Sequence, residues 1–295
     1  MRVVLTGGFG YVGNAFINRF NKEFDLIVIS TKTNEFRSNV KVENISITNK
    51  KIVNVIEKLK ADVIIHLAAM TGLKKCEMNK DKAFETNVTG TENIVKGCMK
   101  TNSKLIFISS REVYGQTINK KSNENDLLNP INIYGKTKME AEKVIQKAAE
   151  KSEFNYIILR LTNVYGPGSN SGVNNIIKES ISKEKIFVNG GEQILNFIFI
   201  EDVIELIHLV LLNDKLFRQI FNIGSRDTIS LRKFVEILTE VLDKKLDIEI
   251  KKKPSFESSF FQPDLKKQQE VLGFNTKVDV KEGIKKTLQY MRTNV

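Results

Sequence analysis

The chain has 295 residues, 41% of them hydrophobic, enough to bury a large core as one big domain or two lobes. Its formal net charge of +11 and pI near 9.4 come from lysines spread along the chain, with no aromatic residues interleaved on a basic stripe, which argues against a nucleic-acid partner. Two cysteines, two histidines, no apolar run near the roughly 20 residues that span a bilayer, and no signal-peptide pattern point to a cytoplasmic protein without metal, disulfide or membrane anchor.

The chain opens as a strand, MRVVL, and runs into TGGFGYVG at 6–13. Gly7, Gly10 and Gly13 thus fall where a βα turn belongs. One glycine permits the tight turn, one lets backbone approach a pyrophosphate, and one lets helix pack on strand. The amides opening the next helix then face the phosphates. A dinucleotide cradle formed by Gly7, Phe9, Gly10, Tyr11, Val12 and Gly13 is expected.

Strand-like runs follow at 26–30, 63–67, 105–109 and 157–161, alternating with helical patterns at 12–20, 50–60, 83–100 and 134–151. This alternation predicts an α/β, Rossmann-type doubly wound parallel sheet. Ligands of such sheets lie beyond the carboxyl ends of the strands, where residues 30–32, 68–70 and 109–110 fall. His66 and His208 read as core or helix-face residues. Past Tyr165 the texture changes, with a GPGSNSG loop at 166–172. The expected division is a cofactor domain of 1–165 with 197–224, and a smaller α/β substrate lobe of 166–196 with 225–295.

YGKTK at 134–138 opens a helix and places Tyr134 and Lys138 one turn apart on one face. A nearby ammonium favours phenolate, which predicts a lowered Tyr134 pKa and a group able to move protons. Just upstream, Ser110 ends a strand where its hydroxyl can meet the same substrate oxygen. Ser109 reads as a strand-end cap.

The order of these motifs resembles one family. TGGFGYVG, HLAA (66–69), NVTGTENI (87–94), SSREVYG (109–115), YGKTK, LRLTNVYGPG (159–168), FIFIEDV (197–203) and FNIGS (221–225) look like the extended short-chain dehydrogenase/reductases acting on nucleotide sugars. The resemblance implies Ser110, Tyr134 and Lys138 as the catalytic set, with Lys138 also on the nicotinamide ribose. It implies that Asn87 supports the hydrogen bonds on the cofactor side, and adds Asn44, Ile45, Leu67, Ala68, Ala69 and Leu161 around the cofactor. Met70, Arg111, Glu112, Asn163 and Asn175 are the expected substrate neighbours, beside Ser110. A homodimer built through two helices per subunit is implied as well.

Three departures bear on the reaction. NAD-specific relatives end the second strand with a carboxylate; here Ser30 stands there, followed by Thr31, Lys32 and Arg37, which predicts NADP(H) over NAD(H). The 4,6-dehydratases carry Asp-Glu after the catalytic hydroxyl, whereas this chain has Arg111-Glu112. UDP-sugar epimerases place arginines where Leu195 and the 254–258 segment stand. Together these predict an NADP-dependent 4-ketoreductase of a nucleotide-linked deoxysugar in glycan synthesis, with a nucleotide-sugar epimerase on the same residues as the alternative. A cofactor-binding protein without chemistry is disfavoured by the intact Ser110, Tyr134 and Lys138.

Overall fold

The computed structural model describes residues 1–32, 40–117, 120–169 and 172–293. Seven parallel strands form the central sheet: β1 (Arg2–Thr6), β2 (Asp25–Ser30), β3 (Lys41–Asn44), β4 (Val63–His66), β5 (Lys104–Ser110), β6 (Tyr156–Leu161) and β7 (Gln219–Ile223). Their spatial order is 3-2-1-4-5-6-7, with the crossover reversing beside β1. That reversal opens a crevice at the carboxyl end of β1, the place where doubly wound sheets bind ligands.

Strands buried on both faces need continuous apolar sequence, and VVLT, VIIH and YIILRL supply it. Successive side chains then go to opposite layers. Val3 and Leu5 pack with Phe16 and Ile17 of helix Tyr11–Phe20 and with Ile204 and Ile207 of helix Ile200–Leu212. Val4 points the other way, into Ile52 and Ile56 of helix Ile52–Leu59, Ile94 of helix Gly90–Thr101, and Ile145 of helix Ile133–Glu150.

Smaller sheets cover the carboxyl edge. Asn163–Tyr165 pairs with Ile194–Phe199, which also pairs with Thr228–Ser230, and Lys185–Asn189 runs parallel to Asp247–Lys251. Two strands escape the hydrophobic pattern. β3 is a short polar edge strand, KVEN, and Asp247–Lys251 is exposed at every position, so neither carries a buried apolar face. The helix expected over 83–100 is in fact interrupted: a π-helical turn at Glu85–Thr89 separates Lys80–Phe84 from Gly90–Thr101. No helix among the described residues is long and apolar enough to cross a membrane.

Candidate active site

The carboxyl ends of six strands converge. Register places Thr6 beside His66, Ser30 beside Asn44, and Ser110 beside Leu161, so residues scattered through the first 161 positions meet on one edge. The glycine loop closes between β1 and its helix. The Gly10 amide donates to the Gly7 carbonyl at 2.8 Å. Gly7 has φ +67°, and a β-carbon there would come within 2.7 Å of the Ala68 backbone; one on Gly13 would come within 2.6 Å of Gly8. Both contacts demand glycine.

Helix Tyr11–Phe20 starts at Gly10 with no side-chain cap and no acidic residue in its first turn. Its leading amides are therefore not capped by a side chain, and the Asn14 Oδ1 and Tyr11 Oη atoms are buried without a protein partner. An uncapped helix start behind a glycine turn that admits no β-carbon fits the pyrophosphate of a dinucleotide. Tyr11, Val12, Leu67, Ala68 and Ala69 line this region half-buried, and Asn44 is exposed above it with Ile45 beside it. Phe9 is buried in the core, as are Leu161 and Met70. Arg37 lies outside the described residues.

The helix carrying Tyr134 is gripped at its first turn. Asn132, its N-cap, accepts the Gly135 amide at 2.7 Å and donates to Glu112 at 2.7 Å and to the Phe256 carbonyl at 3.1 Å. The Ile133 amide donates to Glu77 at 2.7 Å. Ser110 leaves β5 extended and accepts the Glu112 amide at 3.2 Å, with its hydroxyl near enough to the Tyr134 phenol to draw its pKa down. The structure thus brings Ser110 and Tyr134 together.

Lys138 is buried on the same helix face and donates to the Ile108 carbonyl at 2.7 Å, with its ammonium 6.0 Å from the Tyr134 ring centre. Burial lowers its pKa to about 8, against the pull of Glu142. The expectation of a lowered Tyr134 pKa is corrected here. Burial, the Glu112 carboxylate and Cys76 push the phenol up, and the nearby Ser110 hydroxyl only partly offsets them. The unliganded protein therefore holds Tyr134 protonated.

Asn87 sits inside the π-helical turn, a bulge that turns its side chain into the site. Its Oδ1 accepts the Met70 amide at 2.7 Å, and its Nδ2 donates to the Met70 carbonyl at 3.0 Å and to Thr137 at 2.9 Å. Arg111 and Glu112 are both buried and paired at 2.8 Å, and Arg111 lies 5.6 Å from the Phe261 ring centre. Asn163 donates to the Asn196 carbonyl at 2.8 Å; Asn175 is exposed on helix Val173–Ser182. Leu195 is buried in the core, so no cation replaces the family's arginine there.

Ser109 is not a strand-end cap. Its hydroxyl donates to Glu142 at 2.5 Å, and Glu142 is forked against Arg160 at 2.7 to 3.2 Å. Arg160 also donates to Tyr114 at 2.8 Å. His66 is a core residue, wholly buried, with burial and Lys138 lowering its pKa to about 3. Between pH 6.5 and about 3 the unfolded chain binds a proton that folded His66 does not, so stability falls as pH falls. The expected slope from this group is up to about 1.4 kcal/mol per pH unit. Urea unfolding of the native protein and His66→Gln at pH 5 and 6.5 measures it: the variant should lose that share of the slope.

The model of the NAD dependent epimerase/dehydratase family matches residues 3–224. The chain is 28% identical to UDP-glucose 4-epimerase of Mycoplasma genitalium, covering 96% of this chain and 94% of that one. It is likewise 28% identical to UDP-N-acetyl-alpha-D-glucosaminuronate decarboxylase of Bacillus cytotoxicus, covering 99% and 98%. Among solved structures it is similar to UDP-glucuronic acid 4-epimerase from Bacillus cereus in complex with UDP-glucuronic acid and NAD, with TM-score 0.92, 22% identity and 99% of each chain covered. MoeE5 in complex with UDP-glucuronic acid and NAD gives TM-score 0.93 at 21% identity, with 100% of each chain covered.

These findings overturn the expected preference for NADP(H), since the family is NAD dependent and these solved neighbours hold NAD. Ser30 is neutral, its Oγ accepting the Lys32 amide at 3.0 Å within a local turn, Lys32 is exposed, and Arg37 lies outside the described residues, so no described contact builds a cationic 2′-phosphate site. The part of the expectation of net reduction that drew on NADPH loses its support with it.

Proposed function

Because the chain belongs to the NAD dependent epimerase/dehydratase family, we propose that it is an NAD-dependent epimerase of a UDP-sugar, inverting C4 with no net redox change. The observation that carries this reading is the buried Lys138 ammonium held 6.0 Å from the Tyr134 ring centre, with Ser110 at the adjoining strand end and an uncapped glycine-loop helix on the same sheet edge. The nucleotide and the reaction follow the printed activities of the Mycoplasma genitalium and Bacillus cereus relatives.

NAD, when bound, supplies the hydride acceptor and donor and a cationic ring that favours the phenolate. Tyr134 then takes the hydroxyl proton and later returns it, while Ser110 orients the reacting oxygen. Lys138, anchored on the Ile108 carbonyl, holds positive charge beneath the phenol. Arg111 supports epimerisation over dehydration. The position that gives a dehydratase its acid carries a guanidinium already paired with Glu112, so no group stands ready to protonate a leaving hydroxyl at C6.

In this reading residues 166–196 and 225–295 form the substrate lobe, and Asn163 and Asn175 contribute to the diphosphate grip that Leu195 does not. Self-association into a homodimer belongs to the same reading. Purified protein with NAD should convert one of UDP-glucose, UDP-N-acetylglucosamine or UDP-glucuronic acid to its C4 epimer, with flat absorbance at 340 nm. Stoichiometric consumption of NADH or NADPH, or release of carbon dioxide, would overturn the proposal.

A further inference from the structure

Two runs of hydrogen bonds that meet at Asn87 join the residues under the glycine loop to the helix that carries Tyr134, and the direction of the first can be deduced. Thr91 has one hydroxyl proton, which it donates to the Asn87 carbonyl at 2.6 Å. The contact between Thr91 Oγ1 and His66 Nε2, at 3.0 Å, therefore requires a proton on Nε2. His66 is buried and neutral, so Nδ1 is bare and accepts from Thr6 Oγ1 at 2.6 Å. Thr6 Oγ1 in turn accepts the Ala68 amide at 3.3 Å. The second run starts at the Asn87 side chain, whose Nδ2 donates to Thr137 Oγ1 at 2.9 Å, and Thr137 Oγ1 donates to the Tyr134 carbonyl at 2.8 Å.

From Ala68 to the Asn87 carbonyl each member fixes the donor–acceptor sense of the next, so one tautomer of His66 satisfies that run, and Asn87 carries it covalently to the run that reaches Tyr134. The two ends are demanding. Ala68 is the residue that a β-carbon on Gly7 would strike at 2.7 Å, and Tyr134 opens the helix whose face includes Lys138. We propose that His66 is a positioning residue: in its Nε2–H tautomer it holds the dinucleotide cradle in register with the helix bearing Tyr134. The inference rests on the reading that the cradle binds NAD and that Tyr134 moves the proton. His66 touches neither reacting group itself.

Substitutions that cut the line on either side of the ring separate its two jobs. Glutamine at 66 keeps a donor near the Nε2 position for Thr91 and leaves Thr6 without its acceptor. Thr91→Val keeps the side-chain shape, removes the hydroxyl, and frees the Asn87 carbonyl. With the full-length protein, NAD dissociation constants come from calorimetry and kcat from the UDP-sugar that the native protein epimerises.

His66→Gln is expected to weaken NAD about tenfold with kcat within about threefold of native, the scale of one lost buried hydrogen bond. Thr91→Val is expected to lower kcat about tenfold with NAD affinity within about threefold. If His66→Gln does not fold, Thr91→Val alone carries the test through the same split between kcat and affinity. Native values in both variants, or equal losses of affinity and kcat in both, would overturn the proposal. Native protein that binds NAD but epimerises no UDP-sugar would refute the functional reading, and the affinity of His66→Gln would still decide the role of His66.

Discussion

Tyr134→Phe should lower kcat by about 10²–10⁴-fold while NAD affinity stays within about threefold of native. The phenol stands beside the Ser110 hydroxyl at the strand end and above the Lys138 ammonium, and phenylalanine removes its oxygen while keeping the ring. The ring packs with Met70, Cys76 and Ile133, so the variant should retain its fold. Burial and Glu112 keep the phenol protonated in the resting protein, and turnover therefore depends on bound NAD drawing it toward the phenolate. Steady-state kinetics on the epimerised UDP-sugar, with calorimetric titration of NAD, reads both parameters. Native turnover in the variant would assign proton transfer to another group.

Arg160→Met should destabilise the protein by about 3–5 kcal/mol, because it strands the Glu142 carboxylate in the core. Glu142 is wholly buried and Arg160 is 3% exposed, forked together at 2.7 to 3.2 Å. The guanidinium also serves Tyr114, which donates to Asn222 at 2.7 Å, so the network ties β6 to β7 and to the segment after β5. Replacing both partners, as Glu142→Leu with Arg160→Met, should restore much of the loss, since no unpaired charge remains. Urea unfolding of the single and double variants measures this. A single variant within about 0.5 kcal/mol of native would mean that Glu142 finds another partner or protonates at little cost.

The sheet was legible because its central strands are buried on both sides and so read as apolar runs: VVL, VIIH and YIILRL leave little choice. β3 was not, because an edge strand of four residues with lysine, glutamate and asparagine has no core-facing stripe. The site was legible where the chemistry needs fixed spacing within one element, as with Gly7, Gly10 and Gly13, or Tyr134 and Lys138. It was not where partners come from distant elements. Nothing local to Ser109 points to Glu142, and nothing local to His66 points to Thr6 and Thr91. Asn132 was within reach: starting the helix one residue earlier, at Ile133, makes the preceding asparagine its N-cap. The NADP expectation failed for a related reason. The lack of a carboxylate at Ser30 removes a repulsion without building a phosphate site, and the local turn from Ser30 to Lys32 has no signature in composition.

The central claim is hydride transfer through NAD at a single carbon, and isotope retention tests it most directly. The accepted UDP-sugar, deuterated at C4, is incubated with the protein and NAD in ordinary water, and the C4 epimer is isolated for mass spectrometry and NMR. The account predicts that the epimer keeps its deuterium at C4, because the label leaves as hydride, waits on the cofactor and returns to the same carbon. Loss of the label to solvent, or appearance of product only with matched consumption of added NADH or NADPH, would contradict it.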